Sequence, residues 1–443
     1  MNANVRPMKT SAELALADIF SAAKSTLPGN GNIAVWREAA FARFASAGLP
    51  HRRIEQWKYT DLRAMLREVK PLAAPPGADA KKRAAGAGEA FAGLDCRRLV
   101  FVNGTFVPDL SDLNSLEPGL TVRSMAQGLA TADPLVVAHL GKAVAVSDAA
   151  IDMNTALVGD GALIHVAADA VIERPLHLVF ATVGERPAAI FMRTLVVIEN
   201  SARVQLIESH EGRDDVDYQI NTALDIVIGD DACVDRVKFT NEGSRALHVA
   251  SLLASVGARA TFNDFSFTTG GSVVRNQLFL RLAGEATTAN TCGVNLLTGR
   301  QHADTTLIAD HAVGGCQTRQ LFKSVLDGDA HGVFQGKIVV RPDAQKTDAK
   351  MMSRALLLSE SAEAVHKPEL EIFADDVQCG HGATTGALGD DLKFYLMARG
   401  IPARDAESLL IQAFVGEAVA MIAHEGLRNV LSDAAVAWLQ ARG

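Results

Sequence analysis

Four short segments at nearly regular spacing decide the fold of this chain: Asn200-Ser201-Ala202, Gly229-Asp230-Asp231-Ala232, Gly257-Ala258-Arg259-Ala260 and Gly284-Glu285-Ala286. Each segment starts with Gly or Asn and ends with Ala, and the steps between the four alanines are 30, 28 and 26 residues. Related segments stand on either side of this stretch, at residues 159–162 and 328–330. A period of roughly 20 to 50 residues indicates a repeat protein, in which one structural unit stacks on the next.

Short runs rich in Val, Ile, Leu and Thr separate these segments, and no long helical pattern interrupts them. Several short strands followed by a tight turn fit one coil of a parallel β-helix, whose inward side chains pack on those of the next coil. We therefore predict a parallel β-helix core over residues 150–376. A β-sandwich is the alternative, but its hairpins would bring turn signals about every 8–12 residues.

Helical patterns flank the predicted core on both sides, so the expected fold class is mainly β with helical ends. In residues 1–70, apolar residues recur at helical spacing behind the candidate cap Ser11. In residues 377–443, Asp390 suits a helix cap and Pro402 suits the first turn of the next helix. These regions are predicted as an N-terminal helical region and a C-terminal helical domain.

Two segments connect the N-terminal helices to the core. Residues 71–95 are rich in Ala, Gly and Pro, which predicts a flexible linker. Residues 96–149 contain the pair Asn103-Gly104 between two apolar runs, a strong hairpin signal. A Leu- and Ala-rich helical stretch follows the hairpin. We predict that residues 96–149 form a small α/β connecting segment.

The composition is that of an acidic protein without the features of a nucleic-acid or membrane protein. The 443 residues carry 43 Lys and Arg against 51 Asp and Glu, a formal net charge of −8. Nucleic-acid-binding modules show a basic surplus instead. No run of about 18 apolar residues predicts a membrane span, and residues 1–9 lack the apolar core of a signal peptide. We expect a cytoplasmic protein with no nucleic-acid or membrane partner.

The cysteines argue against a disulfide framework. The five are widely spaced and odd in number, and no pair forms a C-x-x-C motif: Cys96, Cys233, Cys292, Cys316 and Cys379. Such usage favours a reducing cytosol. It also argues against a zinc ribbon or a cluster site that this chain completes alone with four thiolates. A metal bound here would therefore need ligands from elsewhere.

The stretch Lys367–Gly386, KPELEIFADDVQCGHGATTG, carries the strongest candidate site residues. It begins with the alternation of a half-buried strand, in which Leu370 and Ile372 alternate with acidic residues. Cys379 and His381 follow, two residues apart and flanked by glycines. Because residues two apart on a strand share a face, sulfur and nitrogen could approach one point, as in zinc or iron–sulfur sites. The alternative is a buried thiol beside a hydrogen-bonded imidazole.

A second cluster of candidate ligands lies inside the predicted core: His302, Asp304, His311 and Cys316. One interpretation is a metal or acid–base site. The alternative is that these residues join polar ladders or face solvent, which is the more common use of such side chains on a β-solenoid. His331 and His366 are predicted to be structural.

Neither Gly-Lys pair of the chain fits a phosphate-binding loop. The Walker pattern requires a Gly five positions before the second Gly and a Ser or Thr after the Lys. The residues at these places are Val136 and Ala143 around Gly141-Lys142, and His331 and Ile338 around Gly336-Lys337. No G-x-G-x-x-G motif opens a helix after a strand either. We therefore expect no ATP site and no dinucleotide site.

Motifs at both ends of the chain resemble the SufB/SufD family of iron–sulfur cluster assembly proteins, in its SufD form. The resemblance extends nearly from end to end. It rests on the N-terminal run His51–Leu62, the core runs Gly336–Val340, Ala344–Ala349 and Leu356–Ser359, and the C-terminal motifs Asp375–Thr384, Phe394–Leu396 and Arg399–Ile401.

The resemblance implies a scaffold subunit rather than a stand-alone enzyme. Family members have helical N- and C-terminal regions around a right-handed parallel β-helix. In the family, SufB and SufD pair through their β-helices, and each binds a SufC ATPase through its C-terminal region. The chain is thus expected to be the SufD-type subunit of a SufBCD-type complex. Its expected partners are a SufB-like subunit at the end of the β-helix and a SufC-like ATPase at the C-terminal helices.

The resemblance also assigns the candidate site. The nascent cluster is thought to form at the SufB–SufD interface. His381 matches the histidine assigned to that site in SufD-type members, and Cys379 matches the nearby cysteine. The implied cofactor is a transient iron–sulfur cluster shared with the partner, which supplies the cluster cysteine. No catalytic residue is implied. The long linker departs from the family pattern and leaves the docking of the N-terminal helices open, and the sequence decides neither flavin binding nor a homodimer of the isolated chain.

Two other classes of function compete with this interpretation. A cytosolic structural β-solenoid that binds other proteins without metal chemistry would carry Cys379 and His381 incidentally. A carbohydrate-active β-helix enzyme would need catalytic acids or bases in an open groove and usually a secreted chain, so the missing signal argues against it. Iron and sulfide content after co-expression with relatives separates these possibilities.

Overall fold

The middle of the chain coils into a parallel β-solenoid of about eight turns in the computed structural model, which describes residues 8–442. The first seven residues, part of the predicted N-terminal helical region and of the stretch that lacks a signal-peptide core, lie outside the described residues. The strands, in chain order, are β1 Arg97–Val102, β2 Thr105–Phe106, β3 Leu120–Ser124, β4 Ala162–Val166, β5 Leu176–Thr182, β6 Ala189–Ile198, β7 Arg203–Gly212, β8 Gln219–Ile228, β9 Cys233–Asn241, β10 Leu247–Val256, β11 Thr261–Thr268, β12 Val273–Leu282, β13 Thr288–Leu297, β14 His302–His311, β15 Gln317–Leu326, β16 His331–Val340, β17 Asp348–Leu357, β18 Glu363–Ile372 and β19 Gln378–Ala387.

Helices lie before and after the solenoid, as the sequence predicts. They are α1 Ser11–Ala23, α2 Asn32–Ala47, α3 Leu62–Met65, α4 Ala78–Arg83, α5 Met125–Ala130, α6 Pro134–His139, α7 Ala149–Leu157, α8 Asp390–Ala398, α9 Ala403–Val419 and α10 Glu425–Ala441. Thr10 caps α1 with a reciprocal capping box, in which its side chain accepts from the backbone of Glu13 and the Glu13 carboxylate accepts from Thr10. The predicted cap at Ser11 is therefore one residue late.

Two parallel sheets face each other across the solenoid interior. The odd sheet has the strand order β19-β17-β15-β13-β11-β9-β7-β5-β1-β2, and the even sheet has the order β18-β16-β14-β12-β10-β8-β6-β4-β3. All named neighbours are parallel except β1 with β2 and β3 with β4. Successive strands of the core thus alternate between the sheets, and each coil, or rung, stacks on the one before. The predicted parallel β-helix is confirmed, and the sandwich alternative is wrong.

The predicted turns stack along the edge where the chain passes from the even sheet to the odd sheet. One residue of each turn has a left-handed backbone, at Asp169, Ser201, Asp231, Arg259, Ala286, Gly315 and Lys346. Each donates its own backbone N–H to a carbonyl of the next rung; Ser201 donates to Asp230 at 2.8 Å and Asp231 to Ala258 at 2.8 Å. The following residue points inward and is buried, as Ala202, Ala232 and Ala260 show.

Three of the sequence segments do not belong to this ladder as predicted. Residues 159–162 lead from α7 into β4 and therefore lie outside it. Ala286 occupies the left-handed position itself, so Thr287 is the buried residue of its rung. Gly328 connects β15 to β16 and stacks on Gly299, so its turn lies on the opposite edge. Both turn types use Gly and Ala, because both need a tight backbone next to a small buried side chain.

The N-terminal segment, residues 8–70, packs against the outer face of the even sheet. Trp57 is buried there, and its Nε1 donates to Asp148 at 2.8 Å. The Arg275 guanidinium lies 3.8 Å from the centre of the Trp57 ring and pairs with Asp304. The motif around Trp57 is therefore a docking segment, which settles where the N-terminal helices sit.

Helices α9 and α10 cover the outer face of the odd sheet. Their apolar residues, among them Ile411, Val415 and Leu427, join a core cluster with outward residues of that sheet. The buried Lys323 amine donates to Glu417 at 2.5 Å and to the Phe414 carbonyl at 2.6 Å. By contrast, α8 buries none of its residues.

The boundaries of the elements differ from the sequence expectation at three places. Helix α7 occupies the first residues of the region predicted as the β-helix core. The predicted flexible linker at 71–95 contains α4 and short 3₁₀ turns, and Phe91 in it is buried against His177 and Phe239. Strand pairing continues through β19, past the predicted end of the core at residue 376. The division into domains itself stays a prediction. Within residues 8–442, no helix is both long and apolar enough to cross a membrane.

Candidate functional site

The solenoid ends in two edge strands, β18 in the even sheet and β19 in the odd sheet. Within the described residues, β18 pairs only with β16 and β19 only with β17. Each therefore presents one row of backbone N–H and C=O groups that no further rung covers. Ile372, the last residue of β18, and Phe373 after it are 40% and 60% exposed. The open end of the solenoid therefore offers unpaired backbone groups and exposed apolar side chains to a binding partner.

Cys379 and His381 lie near the start of β19, not at the end of the preceding strand as the sequence suggested. Cys379 pairs with Ala349 and His381 with Met351, and both partners point into the interior. The register therefore puts the sulfur and the imidazole on the same, inward face of the last odd strand. Along a strand, residues two apart are separated by about 7 Å.

The two side chains differ in exposure. His381 is exposed, whereas Cys379 is half-buried against the apolar core. Burial raises the pKa of the Cys379 thiol, and the Asp348 carboxylate adds to the rise. The thiol of the isolated chain is therefore protonated at neutral pH. A thiolate at this position requires a cation or a partner that stabilises the negative charge.

His366 on β18 faces the same end of the interior but is already fully engaged. Its Nδ1 shares a hydrogen bond of 2.6 Å with Ser353, and its Nε2 shares one of 3.1 Å with Thr385 of β19. Burial lowers the pKa of His366. A neutral imidazole with both nitrogens occupied joins the last strands of the two sheets, in agreement with its predicted structural role.

The second predicted cluster is divided by the alternation of β14. His302 and Asp304 face outward, where Thr60 of the N-terminal segment bonds to both. His302 also shares a 2.8 Å hydrogen bond with His331. His311 points inward to Thr318, at 3.1 Å, and the Cys316 thiol donates to the Gly284 carbonyl at 3.3 Å. These groups hold the fold together, and the interpretation as one joint site is wrong.

Sequence analysis missed a charged network inside the solenoid. Arg236 donates to Glu208 at 2.6 Å and also pairs with Asp264, and Lys238 donates to Asn276 at 2.7 Å. Burial opposes ionisation of Glu208, but Arg236 and His210 together outweigh burial and lower the pKa of that carboxyl. Burial lowers the pKa of Lys238 to about 8. A cavity of about 30 Å³ lies among these side chains.

A second missed group lies beside this network and consists of His210, Glu242 and His248. A signal for the inward polar residues was present in the sequence. Counting in steps of two from the buried turn residue Ala202 reaches Val204 and Leu206 and then Glu208 and His210. The same count from Ala232 reaches Arg236 and Lys238. The half of the interior near the alanine turns is thus apolar, and the other half is polar.

Comparison with known proteins assigns the chain to a family. The model of the SUF system FeS cluster assembly SufBD core domain matches residues 180–414, and that of the SufBD protein N-terminal region matches residues 10–178. These two matches together span the N-terminal segment, the solenoid and most of α9.

Curated relatives agree with both matches. An iron–sulfur cluster assembly SufBD family protein of Synechocystis is 33% identical over 89% of this chain and 88% of its own length. The iron–sulfur cluster assembly protein SufD of Escherichia coli is 30% identical over 86% of this chain and 87% of its own, and SufD of Bacillus subtilis is 27% identical over 63% and 64%. With two family models and near full-length relatives in agreement, the chain belongs to the SufBD family of the SUF system for iron–sulfur cluster assembly.

Proposed function

We propose that this chain is the SufD-type scaffold subunit of a SufBCD-type complex and that its cargo is a nascent iron–sulfur cluster. The observation that carries the proposal is the open end of the solenoid. There, a thiol and an exposed imidazole share the inward face of an edge strand, in a chain of this family. Two ligands cannot complete a cluster site, for which four are usual. The remaining ligands come from the partner that covers this end.

The partner at the open end is a SufB-like subunit. The unpaired edges of β18 and β19 offer backbone groups for strand addition, in which main-chain hydrogen bonds give affinity. The exposed Ile372 and Phe373 add apolar surface beside these edges. Covering the end would also desolvate His381 and place it at the subunit junction. The same edges could pair two copies of the isolated chain.

A SufC-like ATPase docks on α8. This helix buries no residue, and its apolar side chains are exposed: Leu392, Phe394, Tyr395 and Met397. Phe394, at 73% exposed, is the most open of them. Exposed aromatic clusters of this kind mark protein-binding surfaces. Because the sequence contains no phosphate-binding loop, the partner supplies ATP hydrolysis and this chain acts as a non-catalytic subunit. Its location is the cytoplasm, where its five free cysteines stay reduced.

Co-expression of the tagged chain with its SufB-like and SufC-like relatives tests this function. We expect the three proteins to co-purify, and the complex to carry iron and acid-labile sulfide that the isolated chain lacks. Absorbance of the same preparation shows whether a flavin is present, and light scattering of the isolated chain shows whether it dimerises. A chain that purifies without these partners, or a complex without iron and sulfide, would favour the structural β-solenoid instead.

A further inference from the structure

Three buried side chains, His210, Glu242 and His248, point one ligand atom each toward a common place inside the solenoid. The ligand atoms lie within 4.8 Å of one another, and all three residues are buried. His210 comes from β7, Glu242 from the turn after β9 and His248 from the start of β10. Glu242 Oε1 and His248 Nδ1 are already 3.3 Å apart, which is about the spacing of two ligand atoms in a tetrahedral zinc site.

The atoms that face this place have no hydrogen-bond partner within the described residues. They are Oε1 of Glu242, Nδ1 of His248 and one ring nitrogen of His210, neither of whose nitrogens has a partner. A buried polar atom without a partner destabilises the folded chain. Three such side chains around one place therefore indicate a ligand that binds all of them.

The opposite sides of the same groups are held in place. Tyr218 Oη donates to Glu242 Oε2 at 2.6 Å, and the backbone N–H of Gly243 donates to Tyr218 Oη at 2.8 Å. Thr222 shares a 3.0 Å hydrogen bond with His248 Nε2. The Glu208 carboxylate lies 3.5 Å from His210 Nε2. Contacts of this kind orient the ligands of protein metal sites from behind.

The charged side chains around this place largely balance. Glu242 brings the one carboxylate among the three ligands. Arg236 is neutralised by Glu208 and Asp264, so Lys238 is the nearby cation that opposes a metal.

We propose that His210, Glu242 and His248 bind one divalent first-row transition metal ion, of the zinc or iron(II) class, inside the solenoid. Two imidazoles and one carboxylate are an established donor set for these ions. Since the site is enclosed, the metal enters while the chain folds and stabilises the folded rungs. This site is distinct from Cys379 and His381.

The experiment measures metal in the full-length chain after refolding. The chain is unfolded in denaturant with a chelator and refolded with Zn²⁺ or Co²⁺, and bound metal is measured by mass spectrometry after desalting. We expect about one ion per chain in the native protein and visible Co²⁺ absorption, and at least a tenfold loss of both in Glu242→Gln and His248→Gln. His311→Gln is the matched control, because His311 is also buried in the interior and should retain the ion.

A double variant, His381→Ala with Cys379→Ala, separates this ion from the cluster cargo and should retain one ion per chain. If Glu242→Gln does not fold, the native chain still decides the matter. Its melting temperature should rise by at least a few degrees after refolding with Zn²⁺ and fall back after refolding with chelator. The proposal would be overturned if the native protein takes up no more metal than Glu242→Gln, or if Zn²⁺ does not change its melting temperature. The three side chains would then be a buried polar group that binds no metal.

Discussion

At the scale of single residues, two histidines at the open end of the solenoid differ in their hydrogen bonding, although the sequence alone does not distinguish them. His366 has both ring nitrogens in hydrogen bonds, to Ser353 and Thr385. His381 is exposed on the inward face of the last odd strand. A side chain that binds the cluster needs a free ring nitrogen, so His381 is the better candidate. His366 instead holds the end of β19, the strand that carries His381.

Replacing His381 by Ala should remove cluster formation but not the complex. An exposed side chain contributes little to folding, so we expect the free energy of unfolding to change by no more than about 0.5 kcal/mol. Iron and acid-labile sulfide on the co-expressed complex should fall sharply, and Cys379→Ala should reduce them less, because the partner can supply thiolates. Thr384→Ala, on the outward face of the same strand, is the control. A His381→Ala complex with normal iron and sulfide would refute the role; a complex that dissociates would make the residue structural.

Sequence reasoning could find Cys379 and His381 because they are neighbours on one strand. It could not assemble His210, Glu242 and His248, which come from three different segments. Their meeting depends on the register between rungs and on which residues of each strand point inward. That register follows only once the turn residues are aligned, and the shift at Ala286 shows that a period of about 28 residues is not regular enough to align every rung by counting.

At the scale of elements, the helices after the solenoid have separate tasks. Helices α9 and α10 cover the odd sheet, and Lys323 ties that sheet to α9 through Glu417. Removing the whole C-terminal domain would therefore uncover the sheet as well as the docking surface. Sequence patterns predicted the helices but not this division, because the apolar residues of α8 look like those of a packed helix.

Polar substitution on α8 tests docking without disturbing the fold. Phe394→Ser combined with Tyr395→Ser should abolish binding of the SufC-like ATPase in a pull-down, because the apolar contact area is lost. Stability should be almost unchanged, since neither residue is buried. Val171→Ser, at a half-exposed position of the solenoid, controls for a general loss of surface apolarity. Undiminished ATPase binding by the double variant would place the docking surface elsewhere.

The N-terminal segment should depend on one aromatic side chain. Trp57→Ala removes a ring that is 1% exposed and that contacts Arg275. Such truncations cost about 3–5 kcal/mol, which urea unfolding would measure. We further expect limited proteolysis to cut between α2 and α4 before it cuts the solenoid. Lys58→Ala, the exposed neighbour, should behave like the native protein; equal protease resistance of Trp57→Ala would show that other contacts hold the segment.

At the scale of the whole molecule, the protein buries several histidines that stay neutral. Burial lowers the pKa of His177 and His248 to about 3 and that of His302 and His311 to about 4. In the unfolded chain these residues bind a proton near pH 6.5. Between these pH values the unfolded state holds more protons than the folded state, so acid favours unfolding.

The free energy of unfolding should therefore reach its full value above about pH 6.5 and decrease as the pH falls toward 4. Each of these histidines contributes roughly 1.4 kcal/mol per pH unit within its window. Urea unfolding at pH 7.5, 6.0 and 5.0 measures this decrease in the free energy of unfolding. His311→Gln removes one titrating group, so the slope of the free energy of unfolding against pH should decrease by the contribution of about one proton. A stability that stays constant from pH 7.5 to 5.0 would contradict the buried neutral state of these imidazoles.

The plan of the molecule was predictable from repeats, whereas the position of its N-terminal segment was not. A turn ladder leaves a local signal in each rung, since every turn needs a left-handed residue and a small inward one. The docking of Trp57 leaves no such signal. Its partners Asp148 and Arg275 are ordinary polar residues whose role depends on the assembled sheet.

This docking has a consequence for the order in which the protein is made. A ribosome delivers the N-terminal segment first, but Gln56 accepts a hydrogen bond from Gln335 and Thr60 bonds to His302, residues that follow 279 and 242 positions later. The rungs can stack one by one as they emerge, since each pairs with its predecessor. The first segment must wait until the late rungs exist, and it then closes over them. Its docking thus marks a solenoid whose late rungs have formed, and a chain interrupted before β14 lacks the residues that bind Gln56 and Thr60.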